Sequence, residues 1–482
     1  MAKNKEKAKA KAKAKGKKAS VKPSTSKSAI TSTTSIIKPT SKEVAFYAGV
    51  LDAMDKKYNL SSGDYSPTYL STNILSIDYA IGGGIRPGMI TFSGVEMSAK
   101  STLAIETVAA SLAAKDRVSL IMYNDAENSL DATYAHNIAG RDIMSASAEA
   151  QIPIFYNSAN VVEKLYDSLS FVMNRLPDKV FSQKLNGWFY RVEKDNKRHK
   201  EAVALLDQWA TMDKTLSKGD YLYYQTENTA PQGLFINDSY ASYAPDGVIE
   251  DEEVDNSVGL MARLYSKHIP RINGFIKRKA LIVFGVNQIR EKPMARFERP
   301  WYETGGNALK HYSNNRGIMT PRVVPEFWRG PKDRDLQHEK SVEFKDAEDA
   351  YAFKHYKNIK NKYGTPFRET FTRVWVSDGN KPLARGRGFD KVFDTFNVLA
   401  DMGLAKASNS GKLGKVIVFE KDSPIFKGEK VEWLDFKAMV LYEISSDEFK
   451  TPYLEDNAKK AAKKYNLKHF NLRKKVAELV HL

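Results

Sequence analysis

One stretch constrains the fold more than any other. An apolar run at Met89–Ser93 is followed by Gly94-Val95-Glu96-Met97-Ser98-Ala99-Lys100-Ser101-Thr102, by a helical pattern from about Lys100 to Ala114, and by a second apolar run at Val118–Tyr123. Strand, glycine-led turn, helix and strand in that order make a βαβ unit, because parallel neighbours need a crossover that a tight hairpin cannot supply. Further apolar runs at Ile152–Phe155, Gly233–Asn237 and Ala280–Val286 each follow a helical stretch. The alternation predicts an α/β fold with a mainly parallel sheet and helices on both faces.

The turn itself has the order of a phosphate-binding loop. Backbone N–H groups at a helix N-terminus can cradle phosphate, the Lys100 ammonium can reach its oxygens, and the Ser101 hydroxyl can bind Mg²⁺. Ala99 stands where such loops usually place glycine, and its Cβ disfavours a positive φ. Taken alone, the run reads either as a nucleotide site or as an ordinary strand-to-helix turn. Three more apolar runs end in polar groups: Asp125-Ala126-Glu127, Asp238 and Asn287-Gln288. In a parallel sheet these ends share one edge, where Asp238 could hold Mg²⁺ and Glu127 could orient a water. A helix cap is the plainer use for a lone aspartate, but four polar strand ends at one edge are hard to explain as caps.

Charge is concentrated at the ends. Residues 1–40 hold 12 Lys and one Glu, residues 457–482 hold eight Lys and Arg and one Glu, and the net charge of +17 leaves the body close to neutral. Basic ends condense on polyanions by releasing counterions, which points to nucleic acid, or they serve only as solvated tails. Residues 1–40, rich in Lys, Ala, Ser and Thr, read as disordered, with neither a secretory apolar core nor the arginines of a mitochondrial leader. The chain has no cysteine, which excludes disulfides, thiolate nucleophiles and thiolate metal sites and fits a reducing compartment. No apolar run approaches membrane-spanning length.

Ser41–Lys57 reads as an isolated amphipathic helix, followed by a linker to residue 66. Pro177–Pro231 and Val324–Tyr351 interrupt the strand–helix rhythm as insertions, the first expected to carry its own helices. Residues 386–482 read as a small α+β domain with a basic end.

These residues resemble the bacterial and phage RecA-type recombinases, most nearly a divergent phage (UvsX-like) member. The resemblance rests on Tyr69-Leu70-Ser71-Thr72 through Gly82-Gly83-Gly84, the Gly94–Thr102 loop, Asp125–Asp131, the Asp238 strand, Asn287-Gln288-Ile289-Arg290, Gly305-Gly306-Asn307-Ala308-Leu309-Lys310 and Lys360-Asn361-Lys362, spanning residues 41–405. It implies a RecA-type ATPase core over residues 67–385, with residues 41–66 as an oligomerisation helix and linker. ATP and Mg²⁺ are the implied cofactors, with Gly94, Glu96, Ser98, Ala99, Lys100, Ser101 and Thr102 at the phosphates. Ser101 and Asp238 would hold the metal, and Asp131, Tyr134 and Trp375 would surround adenine. Glu127 would activate water, Gln288 would sense the terminal phosphate, and Lys360 and Lys362 would reach into a neighbour's ATP.

Two loops would meet DNA. The first, Ile249–Asn256, is acidic, leaving Val258 and Arg263 to make contact. The second, Ile289–Glu303, interleaves Arg290, Lys292, Arg296, Phe297, Arg299 and Trp301, cations and rings suited to phosphates and unstacked bases. The implied protein is a DNA-dependent ATPase forming helical filaments on single-stranded DNA and exchanging strands with duplex DNA. It would sit in the cytoplasm, that of a bacterial host for a phage protein, with loader or single-strand-binding proteins as possible partners. A DNA-remodelling ATPase without strand exchange, or a structural DNA-coating filament with weak turnover, would use the same core.

Overall fold

The structure, a computed structural model, describes residues 69–114, 118–139, 142–150, 152–182, 187–200, 215–218, 220–246, 259–291, 301–321, 351–375, 388–408, 416–445, 450–467 and 469–481. The chain divides into two compact units, Met1–Leu60 and Ser61–Leu482, and every described residue belongs to the second. The expected basic tail, the helix Ser41–Lys57, the acidic loop Ile249–Asn256 and nearly all of Val324–Tyr351 lie outside the described residues.

Helix α1 (Leu75–Ile81) precedes β1 (Gly88–Gly94), α2 (Lys100–Ala113), β2 (Leu120–Asp125), α3 (Ala132–Ala139), α4 (Ile143–Ala150), β3 (Ile154–Asn157) and α5 (Val162–Arg175). Strands β4 (Asp178–Ser182), β5 (Gly187–Glu193), β6 (Thr215–Lys218) and β7 (Tyr221–Thr226) follow, and then β8 (Gly233–Asp238), α6 (Leu260–Arg278), β9 (Leu281–Glu291), β10 (Trp301–Glu303), α7 (Gly306–Tyr312), β11 (Asn315–Pro321), β12 (Tyr351–Asn361) and β13 (Glu369–Trp375). The last stretch holds α8 (Lys391–Asp401), β14 (Ala405–Ala407), β15 (Val416–Phe419), β16 (Lys430–Glu432), α9 (Trp433–Ile444), α10 (Pro452–Lys464) and α11 (Leu472–His481).

The central sheet has nine strands in the order β13-β12-β11-β1-β9-β8-β2-β3, with β10 paired onto β9. The six strands from β11 to β3 run parallel, β10 and β12 run opposite to them, and β13, antiparallel to β12, runs in their direction again. Every residue of β1 and β8 is buried, as continuous apolar runs require when helices cover both faces. The fold is therefore the mixed α/β architecture that the strand–helix alternation predicts.

Two expectations need amending. Among its described residues, 177–231 carries a four-stranded antiparallel sheet, β4-β5-β7-β6, that the sequence reading did not anticipate, and a 3₁₀ turn at Lys197–His199; residues 201–214, where expected helices could fall, lie outside the described residues. Trp188, Tyr190 and Val192 on β5 alternate with Phe189 and Arg191, and the pairs Tyr190–Tyr224 and Val192–Leu222 form a small core of their own. That is a period of two, which the dense charge obscured. The loop expected at Ile289–Glu303 is strand at both ends, with Ile289, Arg290 and Glu291 paired to Glu303, Tyr302 and Trp301.

The segment after β13 shares a core with the sheet: Leu75 and Phe353 pack in one cluster with Phe393, Phe396, Phe436 and Val476. Polar groups tie the same contact. Helix α1 has no capping side chain at its own N-cap, Ile74, and the Asp394 carboxylate instead accepts from the N–H groups of Leu75 and Ser76, both at 2.9 Å. Arg473 pairs with Asp394 at 2.9 Å and donates to the Asn73 carbonyl at 2.7 Å.

Candidate functional site

β1 ends at Gly94, and the chain turns through Val95–Ala99 into α2. A Cβ on Gly94 would run into the Ser98 hydroxyl and the Met319 carbonyl, so glycine is a steric requirement here. Met97 (φ 56°) and Ala99 (φ 68°) both take left-handed backbone angles. Such angles cost a residue with a Cβ roughly 1–2 kcal/mol and persist where the surroundings hold them. The fully buried Ser98 donates its hydroxyl to the Val95 carbonyl at 2.8 Å. Lys100 donates to the same carbonyl at 2.7 Å and to Ser98 Oγ at 3.2 Å. No side chain caps the N-terminus of α2, which leaves its first N–H groups and its dipole for an anion.

This turn lines a cavity of ≈ 230 Å³ together with Glu127, Asp238, Val286 and Gln288. The register explains the convergence: Gly94 pairs with Gln288 and Asp125 pairs with Asp238, so four strand ends meet at one edge. Burial pulls the Lys100 pKa down, while Asp238, Glu127 and Glu96 pull it back up. Burial pushes the Asp238 carboxyl up to about 6; Glu127 and Asp125 add to that rise, and the hydroxyls of Ser101 and Tyr123 oppose it. Asp238 Oδ2 accepts from the Tyr123 hydroxyl at 3.0 Å, whereas Oδ1 is buried without a partner of hydrogen-bonding geometry. An orphaned carboxylate oxygen beside a serine hydroxyl and an uncapped helix end fits a hard, oxygen-liganded cation with a phosphate.

Glu127 is exposed, and its Oε1 accepts from Ser239 at 2.6 Å and Ser242 at 3.1 Å. Asp125 accepts from the Leu130 N–H and the Tyr156 hydroxyl, both at 2.9 Å. Tyr134 meets Thr102 hydroxyl to hydroxyl at 2.8 Å, and Asp131 accepts from the Tyr134 N–H at 2.7 Å. Trp375 is not brought to the cavity lining: it ends β13, three places from β1 in the strand order, and packs on the cluster around Phe396.

Lys360 and Lys362 lie away from this cavity. Lys360 pairs with Arg316, three residues along β11 from the partner of Gly94, a displacement of about 10 Å at strand rise. Its ammonium donates to the carbonyls of Lys310 and His311, both at 2.8 Å, and burial, with Lys362 and Arg316 nearby, pulls its pKa down to about 8. Lys362 is exposed.

Of the residues expected to meet DNA, Arg263 is exposed in the first turn of α6, Arg290 is exposed on β9, and Trp301 is half-buried on β10. Val258, Lys292, Arg296, Phe297 and Arg299 lie outside the described residues. Arg290 follows Gln288 by two residues on one strand. The glycine pair has a packing reason, since a Cβ on Gly306 would sit 2.6 Å from that of Ala262 on α6.

The sequence reading missed Ser239, Ser242, Tyr123, Tyr156 and Lys354. Lys354, on β12, donates to the Met97 carbonyl at 2.7 Å from 257 residues away in the chain. Only the sheet register brings it there, and no local spacing signals it.

A parallel sheet with a glycine-led strand–turn–helix and buried carboxylates at its C-terminal edge defines the phosphate-loop class of α/β proteins. Comparison with known proteins narrows this. The family model for the RecA N-terminal domain matches residues 224–324. The protein called RecA from Syntrophus aciditrophicus is 26% identical over 344 residues, 71% of this chain and 73% of that protein. RecA from Mesoplasma florum is 26% identical over 354 residues (73% and 80%), and RecA from Legionella pneumophila strain Lens is 26% identical over 393 residues (79% and 88%). Over roughly three quarters of its length the chain is thus similar to RecA proteins, with the RecA N-terminal model matching the stretch that holds β8, α6, β9 and β11. Among the described residues no helix is long and apolar enough to cross a membrane.

Proposed function

We propose that this chain is an ATP-dependent DNA recombinase that assembles as a helical filament on single-stranded DNA and pairs it with homologous duplex, and that it is a phage-type member of the RecA family. The observation that carries the reading is the meeting of Lys100, Ser101, Glu127, Asp238 and Gln288 around one cavity at the C-terminal edge of β1, β2, β8 and β9.

In this reading Lys100 and the N–H groups opening α2 bind the phosphates of ATP, and Tyr134 with Asp131 borders the base. Trp375, farther along the same edge, remains a proposed adenine contact. Ser101 and Asp238 hold Mg²⁺, which when bound neutralises charge on the phosphate oxygens. Glu127, fixed by Ser239 and Ser242, orients a water and accepts its proton. Gln288 reads the terminal phosphate and passes its position along β9 to Arg290 and the hairpin beyond. Because Lys360 and Lys362 lie away from their own chain's cavity, they act on the ATP of a neighbour, so turnover requires assembly. Arg263, Arg290, Trp301 and the loop between the last two contact DNA.

Electron microscopy on single-stranded DNA with a non-hydrolysable ATP analogue, paired with turnover measured with and without DNA, tests the proposal. Regular filaments and DNA-stimulated hydrolysis are expected. Filaments without turnover would favour a coating role, and directional unwinding without pairing would favour a remodelling ATPase.

A further inference from the structure

Two ammonium groups hold the turn between β1 and α2, and the reading above uses one of them. Lys100 holds the Val95 carbonyl from the helix side. Lys354 holds the Met97 carbonyl from the sheet side, at 2.7 Å, and is itself only 8% exposed. Its place is set by register: on β12 it pairs with Pro321, two residues beyond Met319, the partner of Gly94.

What Lys354 grips is the strained part of the turn. Met97 is 68% exposed, so packing does little to fix it, yet its φ is 56°, and Ala99 two residues on has φ 68°. Glycine would adopt both angles freely, and residues with a Cβ hold them only under external constraint. A charge-assisted hydrogen bond from a buried ammonium to the carbonyl between them is such a constraint. The grip has a cost, because a second cation beside Lys100 disfavours the charge on Lys100, adding to the larger effect of burial.

We infer that Lys354 is a positioning residue of the phosphate-binding turn: its ammonium clamps the Met97 carbonyl and keeps Val95–Ala99 in the cradling conformation that Ala99, lacking the freedom of glycine, does not secure by itself. The inference rests on the nucleotide-site reading. It predicts that the need for Lys354 depends on what occupies position 99.

The test compares the full chain with Lys354→Met, Lys354→Arg, Ala99→Gly and the double variant Lys354→Met/Ala99→Gly. The readouts are Kd for Mg·ADP and a Mg·ATP analogue, KM and kcat for ATP, and the melting temperature. Lys354→Met should weaken both nucleotides about tenfold, the scale of one lost charged hydrogen bond, with kcat changed less than about threefold. Lys354→Arg should stay within about threefold of wild type, since it can still donate to the carbonyl. In the Ala99→Gly background the penalty of Lys354→Met should shrink to less than about threefold, a non-additivity expected only of groups acting on one turn. Wild-type nucleotide affinity in Lys354→Met, with only a lower melting temperature, would overturn the inference, and so would an equal penalty in both backgrounds. A wild-type chain that binds no nucleotide would overturn the site reading first and this inference with it.

Discussion

At Asp238 burial favours the neutral carboxyl and a divalent cation favours the carboxylate, so pH sets the two against each other. Its folded pKa of about 6 lies above the ordinary carboxylate value. Keeping it ionised in the nucleotide-free fold therefore costs stability at neutral pH, and the cost disappears as pH falls from about 6 toward about 4. Asp238→Asn should raise the melting temperature near pH 7, by a stability on the order of 1–3 kcal/mol, with the advantage fading near pH 4.5. The same variant should lose the Mg²⁺ dependence of nucleotide binding. Asp401, also pushed up to about 6 by burial, titrates in this window, so scanning fluorimetry must compare the two proteins at each pH. A second expectation concerns Glu127: Ser239→Ala with Ser242→Ala should lower kcat roughly tenfold and leave KM nearly unchanged, as loss of an orienting partner does. A matching loss in nucleotide affinity would count against an orienting role. Lys100, Glu127, Asp238 and Gln288 were legible in the sequence because each ends or follows an apolar run whose edge is fixed by parallel topology. Ser242 and Lys354 were not, because a turn and a distant antiparallel strand deliver them.

Among the elements, the strand–turn–helix unit was legible because its periodicity changes sharply at Gly94. The sheet β4-β5-β7-β6 was not, since Lys and Arg share its alternating pattern with Trp and Tyr. The structure puts one of those cations to use: Arg191 on β5, nearly fully buried, pairs with Asp178 on β4 at 2.9 Å, and the buried Lys279 at the end of α6 joins them at 3.1 Å from the same carboxylate. The contact between α1, α8 and α11 was equally hidden, because the cap of α1 comes from Asp394, more than 300 residues away. Arg473→Met should leave that carboxylate buried without its cation and cost about 3 kcal/mol. Thermal melting reads the loss, and Asp394→Ala with Arg473→Met should cost less than the two single changes summed. Strict additivity would mean that the two side chains do not act as one unit.

For the whole molecule, the family-model match holds Asp238, Gln288 and the Gly305–Lys310 run but stops short of the phosphate loop, where Ala99 departs from the usual glycine. The two basic ends also differ in kind. In the C-terminal stretch, Arg473 is buried against Asp394, Lys459 pairs with Glu455, and Lys464 pairs with Glu432 and Asp435. Residues 1–40 hold 12 Lys and a single Glu, so little within that segment neutralises them. The N-terminal segment should therefore dominate non-specific attraction to nucleic acid. Deleting residues 1–40 is expected to weaken binding to single and double strands alike and to flatten the dependence of log K on log salt, because fewer counterions are released. Base contact is a different interaction: Phe297→Ala with Trp301→Ala should impair single-strand binding and pairing at every salt concentration, by roughly 1–3 kcal/mol for each base that loses a stacking partner. Fluorescence anisotropy over a salt series, with a strand-exchange assay on both variants, separates the two. A deletion that abolishes pairing, beside a loop variant that pairs normally, would move the DNA site from the β9–β10 hairpin to the N-terminal segment.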